Sequence, residues 1–455
     1  MKYCRILTTA ILSLAVYTTA LPHSCCDHDE EPEWNFITYL QADNNLIPFS
    51  DYNLNQMQKV GSTPEVNILA QWDKPTATHT IRYKVKKNHL VVKDKICKPM
   101  GTHPARELES LITWAHKKFP AERYALILWD HGNGVLDRSG LMAQPAWLSL
   151  TGKKFLQEDR GILYDYAANT FLDNVGLSKV CRFIKKKIKR KIDFLGMDAN
   201  LMSMIEIAYQ IDESVRYMVG SQQTESGYGW PYQTILKALT DKPNMCTSDF
   251  AAATVKAYSD FYAPGGSNED SSFTLSAIDL SRIKPVILAF DAVLQALMLS
   301  QAVNKSTTNT CIKIARGSTL EFYVSDYIDL IDWYDNLTTS FTSLANSLKN
   351  KRSLQHGARD WCCEDDCDTE CCIIPSGPDA ESILQAANAI LATVAAAKST
   401  ARGAIIASKA GSDYDGKAHG LSLYYPRNYE VDCSYTKTDF AKKTFWLHFL
   451  KKMKA

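Results

Sequence analysis

Two residues of this chain are placed where chemistry is done, and a third group of sulfurs stands apart from them. The run Leu128-Trp129-Asp130-His131-Gly132-Asn133-Gly134 puts an imidazole just past the carboxyl end of an apolar strand. That rim is where open parallel sheets bind ligands. Gly132 and Gly134 let the main chain turn sharply and expose N–H groups, as an oxyanion site requires. Taken alone, the same residues also describe a histidine in a glycine turn with no catalytic role. The second place is Asn200, at the end of Asp193-Phe194-Leu195-Gly196-Met197-Asp198-Ala199-Asn200. The spacing predicts a strand over 192–197 running directly into a helix over 201–211. A thiol at such a junction would be ionised by the helix dipole. Asparagine has no thiol, and there it serves as a helix N-cap.

Further segments share a pattern with these two. They are Phe36-Ile37-Thr38-Tyr39-Leu40-Gln41-Ala42-Asp43-Asn44-Asn45-Leu46, Phe119-Pro120-Ala121-Glu122-Arg123-Tyr124, Glu206-Ile207-Ala208-Tyr209, Ser221-Gln222-Gln223-Thr224 and Gly229-Trp230-Pro231-Tyr232. Leu275-Ser276-Ala277-Ile278-Asp279-Leu280 and His419-Gly420-Leu421-Ser422-Leu423-Tyr424-Tyr425-Pro426 follow in the same order. Together, over roughly residues 34–450, the chain resembles the clostripain family of cysteine peptidases. The resemblance implies a caspase-like α/β sandwich and a Cys/His dyad that cleaves peptide bonds after basic residues. It matches His131 to the catalytic histidine and Asn200 to the catalytic cysteine. Asp198 matches an acid of the pocket for the basic side chain. A second acid of that pocket matches Tyr228, a departure that puts the basic specificity in question. Gly132 falls at the oxyanion position, and calcium enters by the resemblance alone. A carboxamide nitrogen is not nucleophilic, because its lone pair is delocalised into the carbonyl; a thiolate beside histidine forms readily.

The elements that must hold these residues read as alternating strands and amphipathic helices, a mostly parallel sheet with helices on both faces. Strands are expected at 34–40, 66–72, 124–129, 192–197, 217–221, 274–278, 403–407 and 420–425, with a hairpin over 80–96. Helices are expected at 104–118, 178–189, 201–211 and 382–399. The peptidase-type domain is placed at 34–300. The remainder, 301–455, is read as part of the same fold, with an insertion near 349–379. The long connection 138–160 has no clear period, which marks a functional or processed loop.

At 455 residues with a formal net charge of +1, no global field draws the chain to nucleic acid or an anionic membrane. Lys2 and Arg5 precede an apolar run from Ile6 to Val16 that closes with Thr18-Thr19-Ala20. This is the order of a secretory signal, cut after Ala20, which places the protein outside the cell or in a periplasm. Ser24-Cys25 leaves a lipoprotein as the lesser alternative. No later segment reads as apolar enough to span a bilayer.

Export makes disulfides the default for the thirteen cysteines, twelve of which remain once Cys4 leaves with the signal. Five of these lie in Trp361-Cys362-Cys363-Glu364-Asp365-Asp366-Cys367-Asp368-Thr369-Glu370-Cys371-Cys372, either a disulfide-held loop or a thiolate metal site of unknown ligands. The basic run 182–191 has Val180, Phe183, Ile184 and Ile188 at helical spacing and reads as a solvated helix face. Three functions stay open: an inactive member with a peptide-binding cleft, an active peptidase, and a disulfide-rich or metal-binding interaction protein.

Overall fold

Alternation of side chains along a central strand decides the architecture. The computed structural model describes residues 31–73, 79–136, 161–357 and 378–454, with the main chain only at 351–357 and 378. The strands are β1 (Trp34–Leu40), β2 (Val66–Trp72), β3 (Thr80–Lys86), β4 (His89–Ile96), β5 (Arg123–Trp129), β6 (Ile162–Asp165), β7 (Thr170–Leu172), β8 (Ile192–Asp198), β9 (Val215–Gly220), β10 (Thr274–Asp279), β11 (Tyr327–Asp329), β12 (Ile405–Ala410) and β13 (Ser422–Tyr424). Nine of them form one sheet in the order β12-β10-β9-β8-β5-β1-β2-β3-β4. The central five run parallel, and antiparallel strands close both edges.

In β5, Tyr124, Leu126 and Leu128 enter one core while Ala125, Ile127 and Trp129 enter the other. A period of two buried on both faces demands a helical layer on each side. One layer holds α1 (Ile47–Val60), whose Leu54 and Met57 are buried against the sheet. The other holds α2 (Pro104–Lys118), α3 (Asn174–Ile188) and α4 (Ile205–Ile211), through Leu108, Leu177 and Ile205. The first layer is completed by α5 (Tyr232–Asp241) and α6 (Thr247–Tyr262) through Ile235 and Phe250. The second continues with α7 (Ile283–Val303), α8 (Lys305–Ser318), α9 (Leu330–Gly357), α10 (Pro378–Ala404), α11 (Asp439–Lys443) and α12 (Trp446–Lys454). From Pro32 onward the chain forms one unit. The expected sandwich, with a mostly parallel sheet between helical layers, is therefore the fold observed.

Local signals account for several elements. Helix α2 starts on a proline, which lacks only an N–H that would be unpaired there, and buries Leu108, Leu111, Ile112 and Ala115 at helical spacing. Asp173 caps α3 by accepting the Gly176 N–H at 2.5 Å. In α3, Val180, Ile184 and Ile188 are buried, whereas Arg182 and Lys185 to Lys187 face solvent and Phe183 joins them, 37% exposed.

Four expectations are corrected. The helix expected over 201–211 begins only at Ile205, with Met204 at its N-cap. Residues 201–204 are instead drawn into main-chain bonds with distant segments: Leu201 N to Gln223 O at 3.1 Å, Ser203 N to Ser221 O at 2.8 Å, and Ser422 N to Ser203 O at 2.8 Å. Asn200 is thus four residues short of the helix and caps nothing. Secondly, two helices, Leu280–Val303 and Asp379–Ala404, are by length and composition apolar enough to cross a bilayer. Phe290, Leu294, Ile390 and Val394 bury part of that apolar surface in the core, while Leu288 and Leu299 are exposed. Thirdly, full cysteine pairing does not hold, because Cys97, Cys181, Cys246 and Cys433 are free thiols. Cys181 sits in the core on α3 among aliphatic side chains, and burial pushes its thiol up to about 12. Lastly, β9 is Val215–Gly220 rather than 217–221 and β13 only Ser422–Tyr424, the latter ending before Pro426 as that proline requires. The signal segment, the 138–160 connection and Cys362 to Cys372 lie outside the described residues.

Candidate functional site

The parallel register of β5 and β8 sets Trp129 opposite Asp198. His131 and Asn200 each lie two residues beyond that pair, so both emerge at the same height from the sheet. The strand ends are tied together, since Gln41 N donates to Trp129 O at 3.2 Å and Asp130 N to Asp198 O at 3.3 Å. The turn after β1 therefore stands beside the histidine. A cleft of about 80 Å³ results, lined by Trp129, Asp130, His131, Asp198, Asn200 and Glu225, with Leu46, Ser226, Gly227 and Gly229 also on its wall.

The histidine is held by groups at one ring nitrogen and one face. Its Nε2 lies 2.6 Å from Asn45 Oδ1, which also accepts the Tyr166 hydroxyl at 3.0 Å. The Tyr166 ring is parallel to the imidazole, with centroids 6.4 Å apart and planes 4° from each other. With an acceptor facing Nε2, that nitrogen carries the proton, and in the neutral ring Nδ1 holds the lone pair. Asp130, the preceding residue, is buried and accepts Asn44 Nδ2 at 2.6 Å. Burial raises its carboxyl well above the ordinary range, opposed by hydrogen bonds from His131 N and Asn44.

Gly132 is needed for close approach: a Cβ there would fall 2.5 Å from Asn200 O and 3.1 Å from Ala199 Cβ. Its main chain bridges Ile162, and it lies beside the cleft, not among its lining residues. Asn200 is half-buried, and its Oδ1 accepts the Glu225 N–H at 2.6 Å. The carboxamide thus anchors the loop after β9. Leu201 follows with φ 65°, an uncommon conformation for a branched residue, and is fully buried. Ser203 points away, into bonds with Ser276 Oγ and Gly420 O at 2.8 Å each.

Asp198 closes the floor. Its Oδ2 accepts the Tyr232 hydroxyl at 2.6 Å and Trp230 N at 3.2 Å, and burial raises its carboxyl. Glu225 Oε2 accepts Trp230 Nε1 at 3.1 Å, and burial followed by the neighbouring Asp198 charge raises this carboxyl too. Tyr228 lies outside the cleft lining: its ring, 41% exposed, packs between Phe49 and Tyr52 at 5.3 Å from each. The structure therefore gathers His131, Asp198 and Asn200 around one cleft, with Gly132 behind it and Tyr228 to one side. Glu225, Asn45 and Tyr166 escaped the sequence reading. An acid inside the glycine-rich stretch Glu225-Ser226-Gly227-Tyr228-Gly229 was a usable signal for the first. Tyr166 carries none, because only the fold brings it to the histidine. Among the described residues, no three His, Cys, Asp or Glu side chains are clustered to hold a metal ion.

The sequence model of the clostripain family, Peptidase C11, matches residues 38–453. No curated protein matches the chain. Among solved structures, a secreted C11 cysteine protease from Bacteroides thetaiotaomicron bound to an irreversible peptide inhibitor superposes with a TM-score of 0.56 at 17% identity, covering 93% of this chain and 99% of its own. An inactive zymogen C11 protease from Parabacteroides distasonis gives 0.55 at 16% identity, covering 91% and 98%. At such identities the likeness is one of fold.

Proposed function

The chain belongs to the clostripain family, and we propose that it is an exported, catalytically silent member that keeps a peptide-binding cleft. The observation that carries this is Asn200 at the end of β8, level with His131. A carboxamide cannot be deprotonated near neutral pH to attack a peptide carbonyl. Among the described residues no cysteine lines the cleft. Losing the nucleophile of such a hydrolase costs on the order of a millionfold in rate.

Binding survives that loss, because the groups that would orient a peptide are separate from the one that would cut it. The buried acids Asp198 and Glu225 suit a basic side chain at the cleft floor. A bound peptide inhibitor in the relative from Bacteroides thetaiotaomicron is consistent with that use of the fold. Its description as secreted agrees with the signal-like segment ending at Ala20. Without a thiol the connection 138–160 stays uncut in protein made alone, so intact mass should show one chain.

The deciding experiment compares the natural chain with Asn200→Cys, and with Asn200→Cys/His131→Ala, on fluorogenic peptides ending in Arg or Lys. Cleavage by the single variant alone is expected. Cleavage by the natural chain that depends on His131 would sink the proposal. The calcium dependence implied by the family is read in the same assay by adding EDTA to the single variant.

A further inference from the structure

An excess of positive charge is gathered on one helix of a nearly neutral chain. Along α3, Lys179, Arg182, Lys185, Lys186, Lys187 and Lys189 are exposed, in a protein whose formal net charge is only +1. Lys185 is tied to Glu213 O at 2.8 Å. Lys179, Arg182, Lys186 and Lys187 form no ion pair with a described residue, and like charges three and four residues apart on a helix repel. A solvated face accounts for the cations but not for Phe183, which stands exposed at their centre. Lys179 and Lys187 lie one helical turn before and after it, and Arg182 and Lys186 flank it.

The apolar exposure continues across the neighbouring elements. Arg182 from α3, Lys284 from α7 and Lys443 from α11 line one hollow of about 160 Å³, so the three elements share a surface. One turn beyond Lys284, Leu288 is 72% exposed, and just past Lys443, Phe445 is 44% exposed. The Phe445 N–H is bonded to Asp291 Oδ1 of α7 at 3.0 Å, which holds that ring beside the helix carrying Leu288. Lys284 is matched by Glu213 at 3.2 Å and Lys443 by Asp439 at 3.0 Å, so the unbalanced charge belongs to α3. We propose that this face, carried by α3, α7 and the junction of α11 with α12, docks on an anionic phospholipid surface. Its unpaired cations meet the lipid phosphates, each strengthening binding about fivefold. Phe183, Leu288 and Phe445 enter the boundary between headgroups and acyl chains. A nucleic acid matches the charge as well, but its bases stack on aromatic rings and leave the aliphatic Leu288 in water.

Sedimentation with sucrose-loaded vesicles tests this on the chain from Leu21. That chain keeps the compact unit beginning at Pro32 and omits the apolar run 6–16, which would itself seek lipid. Vesicles of equal phosphatidylcholine and phosphatidylglycerol should carry the protein down at low salt, and pure phosphatidylcholine should bind it about tenfold more weakly or less. Reversing three charges, in Lys179→Glu/Arg182→Glu/Lys186→Glu, should weaken binding roughly a hundredfold. Phe183→Ser/Leu288→Ser should weaken it about tenfold and leave the preference for phosphatidylglycerol in place. All five side chains are exposed, and unchanged urea midpoints will show that both variants remain folded. Failure of the mixed vesicles to bind the natural sequence at low salt overturns the proposal. Full retention by the serine pair overturns it too, by making the face a general polyanion site. Full retention by the glutamate triple does the same, by placing the contact elsewhere.

Discussion

At the scale of single residues, His131 and Asn200 carry unequal loads. The histidine is oriented by Asn45, whose Oδ1 holds Nε2–H and the Tyr166 hydroxyl together. Under the proposed function, Asn45 is the residue that positions His131. In the Asn200→Cys background, Asn45→Ala should lower kcat by roughly tenfold to a hundredfold, as loss of a histidine's orienting partner does elsewhere, with little change in KM. An unchanged pH–rate profile together with unchanged kcat would remove Asn45 from the mechanism. Asn200 has a structural contact: its Oδ1 is the acceptor for Glu225 N. The cysteine variant should therefore unfold at lower urea, by about 1 kcal/mol for one hydrogen bond. The sequence shows that Asn200 is no nucleophile, since that depends on its own atoms. It does not show what the carboxamide holds, since the partner is twenty-five residues away.

At the scale of elements, the site depends on how closely the turn after β5 approaches the turn after β8. Gly132 has no room for a Cβ against Asn200 O. Gly132→Ala should cost about 1–3 kcal/mol, typical of overpacking a tight site, in urea unfolding. A cost near zero would mean that the two turns separate easily. On the far side of β8, helix α4 carries Glu206, fully buried, with Oε1 accepting Tyr424 N at 2.8 Å and the Tyr435 hydroxyl at 3.2 Å. Burial pushes its carboxyl up to about 7. A carboxyl raised in the folded state leaves stability intact below the ordinary glutamate range. Stability is then lost as pH climbs toward 7, because the unfolded chain ionises first. Glu206→Gln keeps the acceptor oxygen and should raise stability above pH 7 by on the order of 2 kcal/mol. Urea midpoints at pH 5 and 8 check this: the natural chain should lose more than the variant between them.

Across the whole molecule, the sheet buries both faces, and its two cores are filled by helices drawn from the entire chain. The strands β11 and β13, nearly a hundred residues apart, pair to fasten the C-terminal part beside the site. Free thiols report on this packing. A mild alkylating reagent should label Cys97, Cys246 and Cys433, which are exposed, in the native protein, and Cys181 only after denaturation. Mass spectrometry of the labelled chain reads the result, and native labelling of Cys181 would mean that α3 is not seated as described. The helix α2 and the strands β1, β2 and β8 were legible because each writes its period in consecutive residues. The start of α4 was not, because its first turn as read from the sequence is taken by main-chain bonds to Ser221, Gln223 and Ser422.

By itself, the sequence determined the family, the sandwich of helices about a mostly parallel sheet, and an asparagine rather than a thiol at position 200. Apolar periods act over a few residues, and nucleophilicity belongs to a side chain's own atoms, so both are written locally. The tertiary structure alone decided that Asn200 sits in a turn short of the helix, that Glu225 joins Asp198 beneath the cleft, and that Asn45 with Tyr166 orients His131. Each of these depends on which distant donor or acceptor wins a hydrogen bond in a buried place. That competition is settled only when the strands are in register.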